Sequence, residues 1–374
     1  MTNKPSIFSF FSGAGLLDLG FENAGFNIVF VNEYHLPFLE CYKYSREKLG
    51  TTPPEYGYHQ GDIAELTEVA WIRRLYDQLS ECKKNSQYTG FIGGPPCPDF
   101  SVGGKNRGRN GDNGKLSGTY VDLICQLKPD FFLFENVKGL WNTKKHRAFY
   151  DELKQKIQSN DYITQEKLIN ALEFGVPQDR QRILLIGFSR TLLQNLGYNY
   201  EQSSDEFMPW EKYAQFSINE IFSYPWPTLA PFKENSSIPC PIGIPENLTV
   251  EYWFKKNGVY NHPNSGQFFR PRSGLKRFQT IDEGDDSKKS FKRIHRWRYS
   301  PTAAYGNNEV HIHPYKARRI SVAEALAIQS MPKEFVLPED ISLTNAFKTV
   351  GNGVPYLAAK AIAKSIMDFL EVCS

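Results

Sequence analysis

Phe8-Ser9-Phe10-Phe11-Ser12-Gly13-Ala14-Gly15 is the stretch whose reading decides the fold of this 374-residue chain. An apolar strand runs into a glycine turn, and a helix is expected to follow as far as Gly25. Glycines at such a turn let a ligand approach the backbone closely, and a helix N-terminus favours a negative group; tight packing alone is the other reason to find them there. Outward from this unit the pattern repeats. Short apolar strands at Ile28–Val31, Gly90–Ile92, Phe131–Phe134 and Arg182–Phe188 alternate with helical stretches. The alternation predicts an α/β fold of parallel βαβ units, with helices on both faces of a sheet. Ligands in such sheets bind at the carboxyl ends of the strands, so the residues just after each strand are expected to converge.

Composition narrows the classes. Hydrophobic content of 40% and charged content of 23% are ordinary for a water-soluble globular chain. No run reaches the roughly 18 apolar residues of a membrane span, and the N-terminus lacks a signal-peptide pattern, so an intracellular, cytoplasmic protein without a membrane partner is expected. The six cysteines, at 41, 82, 97, 125, 240 and 373, form no C-x-x-C pair, which argues against a zinc site and a disulfide framework. The net charge of +3 decides nothing about a polyanionic partner. Its distribution is more informative: Arg270 to Arg298 holds ten Lys/Arg against four Asp/Glu, interleaved with Phe278, Phe291 and Trp297. Such a run is either a solvated face or a nucleic-acid surface.

The candidate chemistry follows the strands. After the second, Val31-Asn32-Glu33-Tyr34 offers a carboxylate for ribose hydroxyls and a ring for stacking on a base. Gly61-Asp62-Ile63 offers a further acid to an adenine amino group, although either acid could instead cap a helix. Two glycines and two prolines then stop a strand before Cys97 in Gly93-Gly94-Pro95-Pro96-Cys97-Pro98-Asp99-Phe100-Ser101. Cys97 is a nucleophile on a stiff turn or a buried, inert thiol. Glu135, at the tip of Phe131-Phe132-Leu133-Phe134, should have a raised pKa from desolvation and suit proton donation, or else pair with an arginine. Arg180 and Arg182 lie two apart at a strand entrance, which predicts one shared face. The pair could hold a carbonyl oxygen or a phosphate, or form an ion pair with Asp179 or Glu135.

Beyond about Arg190 the texture turns to Pro, aromatic and polar residues, which predicts a second, smaller and irregular domain ending near Pro314. Helical signals return at Ser321, where Glu324 stands at the capping-box spacing, and a last amphipathic helix is expected over Tyr356–Leu370.

In this order the motifs resemble the DNA (cytosine-5) methyltransferases, particularly the bacterial modification enzymes of restriction systems. The resemblance rests on Phe11–Gly15, Pro95-Pro96-Cys97, Glu135-Asn136-Val137, Gln178-x-Arg180-x-Arg182, Arg319-Ile320-Ser321 to Met331-Pro332, and Val350-Gly351-Asn352-Gly353-Val354. The chain departs from the family at Pro98, where glutamine is usual. The resemblance implies a Rossmann-like S-adenosylmethionine-dependent methyltransferase sheet over 1–190, completed by 345–374, a target-recognition domain over 191–317 and a connecting helical segment over 318–344. It implies Cys97 as nucleophile, Glu135 as the acid, and Arg182 on the base O2 with Arg180 in support. S-adenosylmethionine would lie among Phe11, Gly13, Ala14, Gly15, Glu33, Tyr34, Asp62, Ile63, Pro96, Asn352 and Val354, and S-adenosylhomocysteine would be the product. The glycine-rich stretch Ser101–Gly118, with Ser101, Lys105, Arg107 and Arg109, reads as a lid over DNA or as a surface loop. Arg270, Arg272, Lys276 and Arg277 are the expected DNA contacts of the middle domain. Double-stranded DNA is the expected partner of a monomer, with a cognate restriction endonuclease as a functional one. A tRNA cytosine-5 methyltransferase, which shares the catalytic kit, is the alternative.

Overall fold

A computed structural model describes residues 4–85, 88–96, 112–142, 144–198, 207–271, 274–288, 290–303, 305 and 311–372. Seven strands make one sheet: β1 Ser6–Phe10, β2 Asn27–Glu33, β3 Tyr58–Gln60, β4 Thr89–Gly93, β5 Phe131–Val137, β6 Tyr162–Asn170 and β7 Gln181–Ser189. Their spatial order is β3-β2-β1-β4-β5-β7-β6. The first five are parallel, as the alternation predicted. The Arg182–Phe188 strand is not: β7 runs antiparallel to both β5 and β6. A parallel strand needs a crossover of a dozen or more residues, whereas β6 and β7 are joined by ten, Ala171 to Arg180, and pair directly. Sequence reading missed β6 because its half-exposed pattern mixes Thr164, Glu166 and Lys167 with the apolar positions.

Alternation along each strand sends neighbouring residues to opposite faces, and each face is covered. Ile7, Ile92, Leu133, Leu184 and Ile186 pack with Leu17 and Phe21 of the helix Leu16–Glu22 and with Ile362, Ile366 and Phe369 of the helix Tyr356–Val372. Phe8, Phe10, Phe91, Phe132, Phe134 and Leu185 pack on the other side with the helices Val69–Asn85, Asp112–Leu127 and Lys144–Gln158. The last helix therefore completes the sheet core although it is the most distant in sequence. Among the described residues, no helix is long and apolar enough to cross a membrane.

Three local expectations change. The first helix stops at Glu22, because Gly25 in a left-handed conformation (φ 103°) turns the chain into β2. The stretch expected as a loop to Gly118 is helical from Asp112, since Leu116, Tyr120, Val121, Leu123 and Ile124 recur at helical spacing and bury one face on the sheet. Ser101, Lys105, Arg107 and Arg109 lie outside the described residues, as do Cys97 and Arg272. The expected domain boundary at 191 runs through the sheet core, where Leu192, Leu193, Met208 and Trp210 are buried with the strands. The Ser321 capping box is present: its hydroxyl accepts from the Glu324 N–H, and Glu324 returns a carboxylate oxygen to the Ser321 N–H at 2.7 Å.

The basic stretch between 270 and 298 is only partly a surface. Arg293 is buried and donates to the carbonyls of Ile281 (2.7 Å) and His313 (2.6 Å); Arg296 is buried and paired with Glu283 at 2.8 Å; Phe278 and Trp297 are core residues. Part of the expected groove-facing content, Arg293, Arg296, Phe278 and Trp297, thus holds this segment together, while Arg270, Lys276 and Arg277 stay exposed.

Buried histidines make the fold acid-sensitive. His262, His295, His311 and His313 are all held below the ordinary histidine range, first by desolvation, His311 at about 3. A depressed folded pKa means that stability is present above the unfolded value near 6.5 and is lost as pH falls toward the folded one. We expect the melting temperature to fall steadily below pH 6.5, with His311 alone contributing about 1.4 kcal/mol per pH unit. His311→Gln should flatten that decline in melts recorded between pH 7 and 5.

Candidate active site

The site assembles where β1, β2, β4 and β5 end and β7 begins. Phe11 (φ 53°), Gly13 (φ 58°) and Gly15 (φ 78°) all adopt left-handed backbone, so the turn after β1 is tightly wound. Gly15 has a packing reason as well: a Cβ there would stand 2.5 Å from the Tyr42 ring. Arg46 donates from Nη2 to the Gly15 carbonyl (2.8 Å) and pairs with Glu22 (2.9 Å), which props the turn from below. Ala14 is buried beneath it.

Glu33 ends β2 and faces this turn. One carboxylate oxygen accepts the Gly13 N–H and the other the His35 N–H, both at 2.8 Å. Burial nevertheless raises its pKa, ahead of the lowering by those amides. The Tyr34 ring beside it is 67% exposed, although aromatic rings of this size are usually packed. Asp62 follows β3, caps the short helix Ile63–Thr67 and accepts the Ala64 N–H at 2.9 Å; Ile63 is buried. Both readings of Asp62 therefore remain compatible, because a cap uses one oxygen. Val354 is buried in the sheet core and Asn352 is exposed at the end of the helix Leu343–Asn352. Among the described residues, the buried hydroxyls of Ser12 and Thr349 have no hydrogen-bond partner, and the Thr349 oxygen stands 3.7 Å from where a Gly13 Cβ would be. A glycine turn, an inward carboxylate, an open ring and two orphaned hydroxyls fit a ligand with sugar, base and amino-acid parts. No group of three or more His, Cys, Asp or Glu able to hold a metal occurs among the described residues.

On the other side of β4, Glu135 stands two residues before the end of β5 and is 7% exposed. Its Oε1 lies 2.9 Å from Arg182 Nε, because the antiparallel register sets Arg182 opposite Val137. Desolvation raises the Glu135 pKa, opposed by Arg182 and then Arg180, so the acid is held protonated to higher pH than an exposed glutamate. Gly94 leaves room for this carboxylate: a Cβ would lie 2.8 Å from Glu135 Oε2, so a larger residue would displace it. Asn136 donates to the Pro95 carbonyl at 3.4 Å and ties the end of β5 to the turn that leads into Cys97. Both arginines act electrostatically on Glu135, but their hydrogen bonds differ. Arg180 is buried and donates from Nη2 to the carbonyls of Asn352 (3.3 Å) and Gly353 (3.0 Å), clasping the C-terminal turn. A cleft of about 310 Å³ opens beside the Glu135–Arg182 pair, lined by Val137 to Gly139, Asp179, Gln181, Arg182 and Thr302. Sequence reading did not single out Thr302 or Lys138; only the fold brings them to this edge.

A family model described as C-5 cytosine-specific DNA methylase matches residues 6–368. The chain belongs to that family. It is a DNA (cytosine-5) methyltransferase, which favours DNA over the tRNA alternative. The methylase is 56% identical over 368 residues to the type II methyltransferase M.NmeDI of Neisseria meningitidis serogroup C, covering 98% of this chain and 84% of that one. It is 32% identical to M.FnuDI of Fusobacterium nucleatum, covering 97% and 94%. Its fold matches the crystal structures of the S. pombe Dnmt2 methyltransferase (TM-score 0.61, 13% identity, 99% of each chain) and a Spodoptera frugiperda DNMT2 mutant (TM-score 0.58, 17% identity, 98% and 100%).

Proposed function

We propose that this methylase modifies one cytosine within a specific duplex sequence, as the modification partner of a restriction endonuclease, and that Cys97, Glu135 and Arg182 carry the chemistry. The observation that supports the assignment most is the pairing of buried Glu135 with Arg182, at 2.9 Å, beside the turn that leads into Cys97. The names of the curated relatives, type II methyltransferases, support the restriction-modification context.

Carbon 5 of cytosine is a weak nucleophile. The Cys97 thiolate adds to carbon 6, and its electron pair moves through the ring toward nitrogen 3, where Glu135 delivers its proton. Carbon 5 of the resulting enamine then attacks a methyl group. S-adenosylmethionine supplies that methyl when bound and leaves as S-adenosylhomocysteine. Loss of the carbon 5 proton to a base breaks the carbon–sulfur bond and returns the thiolate, and nitrogen 3 gives its proton back to Glu135 as the neutral aromatic ring is restored. Arg182 holds the base O2 and keeps Glu135 oriented, while Arg180 acts through the turn it clasps. A base inside a duplex cannot reach this site, so it is flipped out at a cost of a few kcal/mol that DNA contacts offset.

Cofactor contacts fall to the turn Phe11–Gly15, to Glu33 and Asp62 for hydroxyl and amine groups, to Tyr34 and Ile63 for the ring faces, and to Pro96, Asn352 and Val354. We expect Tyr34→Ala to raise KM for S-adenosylmethionine about 10-fold through lost stacking, with an unchanged melting temperature because the ring packs on little in the folded protein. A parallel fall in melting temperature would show a structural role instead.

Residues 191–317 read the DNA sequence in this proposal, with Arg270, Arg272, Lys276 and Arg277 toward the duplex, and the protein acts as a monomer in the cytoplasm. Labelled methyl transfer into duplex DNA and into tRNA, followed by sequencing that detects 5-methylcytosine, tests substrate and site together. Grafting 217–317, the part of that stretch beyond the sheet-core residues Leu192, Leu193, Met208 and Trp210, from a relative of other specificity should move the methylated sequence; an unmoved site would overturn the assignment.

A further inference from the structure

The cleft beside Glu135 contains two cations in different electrostatic states. Arg182 has an acidic partner: Nε meets Glu135 at 2.9 Å and Nη1 donates to the Gln181 carbonyl at 2.8 Å, which leaves further N–H donors of the guanidinium for the base. Asp179 accepts from the neutral Asn170 amide at 2.7 Å. Lys138 donates to a neutral acceptor, Gln181 Oε1, at 2.6 Å, which uses one of its three N–H donors and offsets none of its charge. Both Lys138 and Gln181 line the cleft and are half-buried. The amide oxygen thus holds the Lys138 ammonium in an opening that it shares with Arg182, which is paired with Glu135, and with the Asp179 carboxylate, whose neutral partner likewise offsets none of its charge.

The anion that fits is set by position. Gly13, Glu33 and Asp62 stand at the ends of β1, β2 and β3, two to four strands away from β5, and adjacent strands are about 4.8 Å apart. In the proposed reading the cofactor lies on that side of the sheet, and a cytosine ring is uncharged. Backbone phosphates are the anions that a DNA strand brings to the mouth of the cleft, and a lysine binds them as a point charge.

We propose that Lys138 anchors a backbone phosphate next to the flipped cytosine, with Gln181 orienting its ammonium, and so acts as a positioning residue for the target nucleotide. The inference rests on the reading of this cleft as the entrance for that nucleotide. It is tested by equilibrium binding of full-length protein to a duplex carrying the methylated site, with S-adenosylhomocysteine present, across a potassium chloride series. Wild-type affinity falls log-linearly with salt, and Lys138→Met should reduce the slope by about 0.9, the value for one phosphate contact, and weaken binding to specific and unrelated duplexes alike. Lys138→Arg should restore the slope, which separates lost charge from a damaged fold. In the same duplex, a neutral methylphosphonate placed singly on either side of the target should weaken wild type at one position and leave Lys138→Met no weaker there.

A full slope in Lys138→Met, or a methylphosphonate effect of equal size in both proteins, overturns the proposal while leaving the active-site assignment intact. A wild-type protein that neither binds nor methylates the duplex would remove the assignment beneath it.

Discussion

Cys97→Ser abolishes methyl transfer, by at least roughly 10⁴-fold, while duplex binding stays within a few-fold of wild type. The expectation comes from nucleophile chemistry: a serine hydroxyl near neutral pH is almost wholly protonated, whereas a thiol supplies a usable fraction of thiolate and is intrinsically more nucleophilic. Binding is spared because phosphate and base-edge contacts, not the thiol, provide affinity. A second readout is independent of turnover. A duplex with 5-fluorocytosine at the target lacks the carbon 5 proton whose loss releases the enzyme, so wild type should form a covalent complex stable to denaturing electrophoresis. Cys97→Ser should form none. Normal turnover in the variant, or trapping through another residue, would sink the assignment of the nucleophile.

Glu135→Gln lowers kcat by about 10² to 10⁴-fold, the range of one general acid, and changes S-adenosylmethionine affinity little. The pH profile gives the sharper test. Burial raises the Glu135 pKa against the pull of Arg182 and Arg180. Its protonated, proton-donating form therefore prevails below that raised value and is lost as pH climbs through it. The wild-type rate should show a descending alkaline limb from this group, and the glutamine variant should lose that limb as well as the rate. A loss confined to cofactor affinity, with the limb intact, would assign Glu135 to packing. The substitution leaves the half-buried Arg182 without its carboxylate, so melting temperatures belong beside the kinetics.

Where the sequence was readable, the signals were local. The strand-to-glycine transition at Phe8–Gly15 is legible because left-handed backbone needs residues that tolerate it, and the chain spends Gly13 and Gly15 there. The Ser321–Glu324 box is legible because both its hydrogen bonds close within four residues. Glu135 stood out as an acid at the end of an apolar strand, and it is buried with the upward shift that such a position dictates. Charge counts were a poorer guide. Arg293, Arg296 and Trp297 were read with the basic surface and lie in the interior, since a guanidinium can satisfy several carbonyls or one buried glutamate as readily as a phosphate.

The sequence alone determined the α/β alternation, the order of the family's motifs and the membership of the chain in its family, because each of these is written in short stretches whose backbone and periodicity are set by their own residues. Only the tertiary structure decided which of those stretches meet. Arg182 stands at the start of its strand and would lie at the wrong edge of an all-parallel sheet. Antiparallel pairing of β7 with β5 sets it opposite Val137 and within 2.9 Å of Glu135. Strand direction follows from the short β6–β7 connection and from burial across the whole sheet, a balance of long-range contacts that no local window contains. The same pairing closes the cleft around Lys138 and gives its charge a place to act.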